Sequence, residues 1–133
     1  MAPTTAAALV ATARQRIANL SVDQVAADLA RGETMLVDVR EPEERAQHGV
    51  IPGTLPAARG LIEFWADPTN PHHRPEFDPS RPTILYSGTG CRSALAAEAL
   101  RRLGYTRVAH LDGGLKAWED AGQPVVPASP NST

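Results

Sequence analysis

Apolar residues are distributed along the chain in two distinct patterns. Met35–Val39 (MLVDV), Thr83–Tyr86 (TILY) and Val108–Leu111 (VAHL) are short, mostly apolar runs, β-branched in part and bounded by turn residues. Such runs predict buried strands. Elsewhere apolar positions recur at helical spacing. Val22, Val25, Ala26 and Leu29 form one stripe, opened by Ser21 with Gln24 as its capping-box partner and closed at Gly32. Leu95, Ala99, Leu100 and Leu103 mark a helix over Ser93–Leu103 with its stop at Gly104, and Gly113-Gly114 turns into another over Leu115–Ala121. Thr5–Ala18 reads as an alanine-rich helix ended near Asn19. Glu41-Pro42-Glu43-Glu44 opens a short helix, with proline in the first turn and acids at its positive end. Ile51-Pro52-Gly53 signals a turn, and Leu61–Ala66 one or two helical turns. Asp67–Pro82 carries five prolines and is excluded from regular structure. Loops of that length are often functional.

Strands alternating with helices predict an α/β fold: an open, mostly parallel sheet with helices on both faces, joined by right-handed crossovers. The expected organisation is an N-terminal helical extension over 1–19, one domain over 20–127 and a flexible tail over 128–133. Ligands of such sheets bind beyond the C-terminal strand ends. Two segments qualify, one after Val39 and one after Tyr86.

Composition narrows the chemistry. The chain has 133 residues, enough for one domain with a real core. Its formal charge of −2 excludes a broad basic footprint for nucleic acid. A single cysteine, Cys91, excludes an intrachain disulfide and a multi-cysteine zinc site. No metal site and no cofactor are expected. No run approaches the roughly 20 apolar residues needed to span a bilayer. The apolar run Ala6–Ala13 lacks the preceding positive charge of a secretory signal, and Arg14 and Arg16 after it only weakly suggest a transit peptide. A helix packed on the domain or fraying beside it is the expected reading, in a reducing, cytoplasmic setting.

The segment after Tyr86 carries the most chemistry: Ser87-Gly88-Thr89-Gly90-Cys91-Arg92-Ser93, then a helix. A glycine-bearing loop between a buried strand and a helix start gathers backbone N–H groups, and the helix dipole adds partial positive charge. Such a nest holds an anion, with Arg92 supplying a planar fork. A P-loop is excluded because this segment has no lysine, and a dinucleotide loop because Ser93 stands at the third glycine position. The plain alternative is a glycine-containing turn. Thr89 and Ser93 offer hydroxyls to an oxyanion, although Ser93 is also a good N-cap.

These segments together resemble the rhodanese-like sulfurtransferases, in their single-domain bacterial form. The resemblance rests on LVDVREPEE at Leu36–Glu44, IPG at Ile51–Gly53, RGLIEFWADP at Arg59–Pro68, LYSGTGCRSALAAEALRRLGY at Leu85–Tyr105 and LDGGLKAWEDAGQPV at Leu111–Val125. It implies a rhodanese-like fold and sulfane-sulfur transfer. In that scheme a loop cysteine takes sulfur from thiosulfate or a similar donor, holds it as a persulfide and passes it to cyanide or a thiol. The implied partners are a small sulfur-containing anion and a thiol acceptor, which a protein can supply, with no nucleic acid and no membrane. The family's active loop is C-x-x-G-x-R, and here Ser87 stands in the cysteine's place with Arg92 retained. A serine hydroxyl stays protonated at neutral pH and has no sulfur on which to build a persulfide.

Three explanations stand open. Ser87 replaces a cysteine by design; the protein is a natural non-catalytic anion- or partner-binding module; or Cys91, in the same loop beside Arg92, carries the sulfur instead. An inert, buried or half-buried Cys91 is the plain reading of that residue. A phosphatase is a weaker option, since the family's phosphatases have a loop one residue longer. Asp38, Arg40, Arg59, Glu63 and Trp65 are candidate supporting residues. Arg40 paired with Glu44, Arg59 and Glu63 bracing their helix, and Trp65 as core are the corresponding structural readings. His48 and His110 read as isolated and structural, and His72-His73 lacks a spaced metal-binding partner.

Overall fold

The computed structural model describes residues 2–129. Among the described residues six helices and five strands alternate: α1 (Ala6–Arg16), β1 (Ala18–Leu20), α2 (Val22–Ala30), β2 (Met35–Asp38), α3 (Pro42–His48), β3 (Leu55–Pro56), α4 (Ile62–Ala66), β4 (Thr83–Tyr86), α5 (Cys91–Arg102), β5 (Val108–Leu111) and α6 (Gly114–Asp120). All strand pairs are parallel, in the order β1-β5-β4-β2-β3, so β4 lies at the centre. Among the described residues, no helix is long and apolar enough to cross a membrane.

The strand pleat sends alternate side chains to opposite faces, and each face is covered by helices. On one side Val37 and Leu85 pack with Ile62 and Ala66 of α4 and Ala96, Ala97 and Leu100 of α5. On the other, Leu36, Ile84, Tyr86, Ala109 and Leu111 pack with Val25 of α2 and with Leu115 and Trp118 of α6. The Ser21–Gln24 capping box forms as expected.

Two strands are additions to the sequence reading. β1 (ANL) has no apolar alternation, and β3 contains Pro56, which an edge position tolerates. Residues 1–19, read as an extension, supply α1 and most of β1. Val10 and Ala13 of α1 pack on Ala94 of α5. Of the tail read over 128–133, residues 130–133 lie outside the described residues.

The proline-rich loop is fixed by local contacts. Arg74 stacks 3.6 Å above the Trp65 ring, its amide donates to the Trp65 carbonyl, and Phe77 is buried in the core.

Candidate functional site

β4 runs straight into the loop 87–90, and α5 begins at Cys91, two residues earlier than the sequence spacing suggests. Gly90 makes that early start possible by adopting φ 102°, a left-handed conformation that side chains disfavour. Ser93 therefore lies inside the first turn and is not the N-cap. The capping oxygen comes from Ser87, whose Oγ accepts the amides of Gly90 at 3.2 Å and Ser93 at 3.1 Å. Ser87 also donates its hydroxyl proton to Ser93 Oγ at 3.3 Å, and both serines are buried.

The N-terminal end of α6 holds the loop from behind. Leu115 N–H donates to the Ser87 carbonyl at 2.8 Å and Lys116 N–H to the Gly88 carbonyl at 3.1 Å. Gly114 permits this approach: a Cβ there would lie 2.6 Å from both carbonyl oxygens. With carbonyls turned to α6 and two amides turned to Ser87, four amides are left over. Among the described residues, the N–H groups of Gly88, Thr89, Cys91 and Arg92 donate to no protein acceptor. They are a ready source of donors for an anion.

Gly88, Thr89 and Arg92 line a pocket of about 440 Å³ together with Arg40, Glu44 and Lys116. Glu44, at the N3 position of α3, grips the Arg92 guanidinium with both oxygens. Hydrogen bonding to Arg92 is the main cause that holds the Glu44 carboxyl down at about 2, and the same bonds raise Arg92 above its ordinary value. Arg40 does not pair with Glu44. It turns instead to Asp38, fully buried at the end of β2, through Nε at 3.0 Å and Nη2 at 2.8 Å. A β2 carboxylate two residues away is closer and better desolvated than an α3 one already bound to Arg92. Burial opposes the charge on Arg40, and the bonds to Asp38 outweigh it, so its pKa is raised. Arg45, also buried, approaches the same carboxylate at 3.2 Å. Two guanidiniums thus share one acid below the pocket wall.

The other candidate residues are elsewhere. Cys91 is exposed, which corrects the buried or half-buried reading, and it borders a shallow depression against Ala7, Val10 and Ala11 of α1. As the first residue of α5 its side chain leaves the loop on the α1 side, while its amide stays with the loop. Arg59 and Glu63 pair at 2.8 Å and line a different groove, between α1, α4 and α5. Trp65 is half-buried beneath Arg74 and also lies outside the pocket lining.

Sequence reasoning missed Glu44 as the partner of Arg92, Arg45 as the second cation on Asp38, and the bracing of the loop by α6. It also missed His110, fully buried behind the loop, where Ser93 Oγ lies 2.8 Å from Nδ1. A histidine inside an otherwise apolar strand, VAHL, was the available signal.

Comparison with known proteins agrees with this architecture. Residues 21–121 match the Rhodanese-like domain. A sulfurtransferase of Allochromatium vinosum is 37% identical over 94 residues, covering 71% of this chain and 79% of that protein. A solved structure from Rhodopseudomonas palustris, described as a protein of unknown function and possible tyrosine phosphatase, superposes with TM-score 0.89. It is 35% identical and covers 95% of this chain and 97% of its own. A human single-domain sulfurtransferase superposes with TM-score 0.67 at 27% identity, covering 77% of this chain and 95% of its own. With its parallel sheet, its loop after the central strand and a family match over the whole span from α2 to α6, this chain belongs to the rhodanese-like domain family.

Proposed function

We propose that the chain is a rhodanese-type sulfurtransferase domain whose loop, as it stands, binds a small sulfur-containing oxyanion but forms no persulfide. The observation that carries this reading is the position of Ser87 Oγ. It sits where strand β4 ends, accepts two loop amides and gives its proton to Ser93. Both lone pairs are taken by amide hydrogens, so the hydroxyl is poorly disposed to act as a nucleophile.

A thiolate at this position would attack the outer sulfur of thiosulfate. The new S–S bond would form as the old one broke, sulfite would leave with the bonding electron pair, and a cyanide or thiol acceptor would then remove the outer sulfur. Ser87 supplies no sulfur for that exchange. The amides of Gly88, Thr89, Cys91 and Arg92, with the Arg92 guanidinium, are the groups assigned to the anion. The reading includes a reducing, cytoplasmic setting in which low-molecular-weight or protein thiols serve as acceptors.

A non-catalytic binding module is the second reading, favoured by the self-paired charges Arg92–Glu44 and Lys116–Asp120 along the pocket. A thiosulfate:cyanide assay on the unaltered chain and on Ser87→Cys separates the two. Thiocyanate from Ser87→Cys alone supports the sulfurtransferase reading. An inactive but folded Ser87→Cys supports the binding module. Activity in the unaltered chain that disappears in Cys91→Ser would move the sulfur carrier to Cys91.

A further inference from the structure

Behind the loop, a line of hydrogen bonds runs from residue 87 into β5 and out to the edge strand β1. Ser87 Oγ–H donates to Ser93 Oγ at 3.3 Å, Ser93 Oγ lies 2.8 Å from His110 Nδ1, and His110 Nε2 lies 2.8 Å from Asn19 Oδ1. The partners assign the protons in that line, with one choice to settle at Ser93, whose hydroxyl has the Gly90 carbonyl at 3.2 Å as a second, longer acceptor beside His110 Nδ1. Asn19 Nδ2 donates to the carbonyls of Arg14 at 2.9 Å and Ile17 at 3.2 Å, so its Oδ1 faces His110 and can only accept. His110 Nε2 therefore carries the ring proton. Burial disfavours the charged ring, which leaves Nδ1 as an acceptor for the Ser93 hydroxyl. Ser93 Oγ in turn presents a lone pair to residue 87.

We propose that His110 is a positioning residue that receives the proton of the group at position 87, relayed by the Ser93 hydroxyl and oriented by Asn19. The step balances without another reactant. The proton of residue 87 moves to Ser93 Oγ as the Ser93 proton moves to Nδ1. The resulting imidazolium keeps both partners, Ser93 Oγ and Asn19 Oδ1. The anion left at position 87 faces three donors: the amides of Gly90 and Ser93, and the reversed Ser93 hydroxyl. No hydrogen bond in the line is lost. The charged groups that bear on His110 are Asp112, which favours the imidazolium, and Arg14, which opposes it. With serine at 87 the transfer is strongly uphill and the hydroxyl stays protonated. A thiol there, several pKa units more acidic, brings the step into range.

This inference rests on the reading of position 87 as the sulfur-carrying position, and it is tested apart from activity. In the full chain carrying Ser87→Cys and Cys91→Ser, thiolate absorbance is followed against pH, and the His110 ring shifts are followed by NMR. The expected result is a coupled pair: the thiolate appears at a pH below the ordinary thiol value while His110 is still protonated, and the ring releases its proton only at higher pH. Adding Ser93→Ala or His110→Gln lowers the thiolate fraction at neutral pH about tenfold. If His110→Gln does not fold, Ser93→Ala and the NMR titration decide alone. An unchanged thiol midpoint in the variants, or a His110 that stays neutral while the thiol ionises, overturns the relay. Coupled titrations without thiocyanate production would instead sink the sulfurtransferase reading and leave the relay standing.

Discussion

Glu44 lays both carboxylate oxygens on the Arg92 guanidinium, at 2.7 and 2.8 Å, and so fixes this arginine of the first turn of α5 beside Gly88. The contact with Gly88 is close: a Cβ there would stand 3.3 Å from Arg92 Nη2. Glu44 thereby does two opposing things. It holds the fork beside Gly88, and it cancels the charge that an anion would seek.

Removing that cancellation has a measurable result. Glu44→Gln keeps a side chain of the same shape and takes a negative charge out of the pocket wall. Thiosulfate or sulfate binding, followed by calorimetry, is expected to tighten roughly fivefold in low salt, and the gain should shrink as ionic strength rises. Weaker binding in Glu44→Gln would mean that orientation of Arg92 outweighs charge.

Gly114 and Gly32 both adopt positive φ, at 64° and 81°, but only Gly114 has backbone in the way of a side chain. Gly32→Ala is therefore expected to cost about 1 kcal/mol, the penalty of the left-handed conformation alone. Gly114→Ala must also push the Ser87 and Gly88 carbonyls away from α6, and a loss of about 3 kcal/mol or more is expected. Urea unfolding of the two variants checks the difference. Equal costs would show that α6 gives way without disturbing the loop.

Asp38 lies between the buried guanidiniums of Arg40 and Arg45. Asp38→Ala would leave both charges buried without an anion, and a loss of about 3–5 kcal/mol is expected. Arg45→Met should behave differently. Among the described residues Nε and Nη2 of Arg45 are buried without hydrogen-bond partners, so methionine removes two unsatisfied donors and leaves the Asp38–Arg40 pair intact. A change within about 1 kcal/mol of zero is expected for it. A large loss in thermal or chemical unfolding of Arg45→Met would show that its single bond to Asp38 matters more than the burial of its charge.

The strands β2, β4 and β5 were legible because each buries both faces and so reads as a continuous apolar run. β1 and β3 were not, since three and two residues at the sheet's edges leave no periodicity to detect. The loop was legible as a loop from its glycines and its place between TILY and a helix. Its bonding was not. Ser87 caps α5 from outside the helix, Leu115 and Lys116 brace the loop from a helix beyond the next strand, and Glu44 reaches Arg92 across 48 positions. Such partners are set by strand order, which local spacing does not encode. Asn19 illustrates the point: it looks like a helix terminator, and it also accepts a hydrogen bond from His110, 91 residues away.

His110 also governs how the fold responds to acid. Burial pushes its pKa down from 6.5 to about 4, so the unfolded chain binds a proton that the native chain refuses. The sign follows from linkage: the native state is fully favoured above pH 6.5, loses stability as pH falls from there, and stops losing it near pH 4. The total is roughly 3 kcal/mol over that window. Glu44 acts lower, since its pKa falls from 4.5 to about 2; its contribution is present above pH 4.5 and is lost between those values. The Glu44–Arg92 pair is partly exposed, so its share is about 1 kcal/mol or less. Urea unfolding at a series of pH values should therefore show a steep fall between pH 6.5 and 4 and a shallower one below. His110→Gln is expected to remove the first fall and leave the second, while Glu44→Gln does the reverse. A stability profile that stays flat from pH 6.5 to 4 in the unaltered chain would mean that the ring accepts its proton in place, through a rearranged Ser93 hydroxyl.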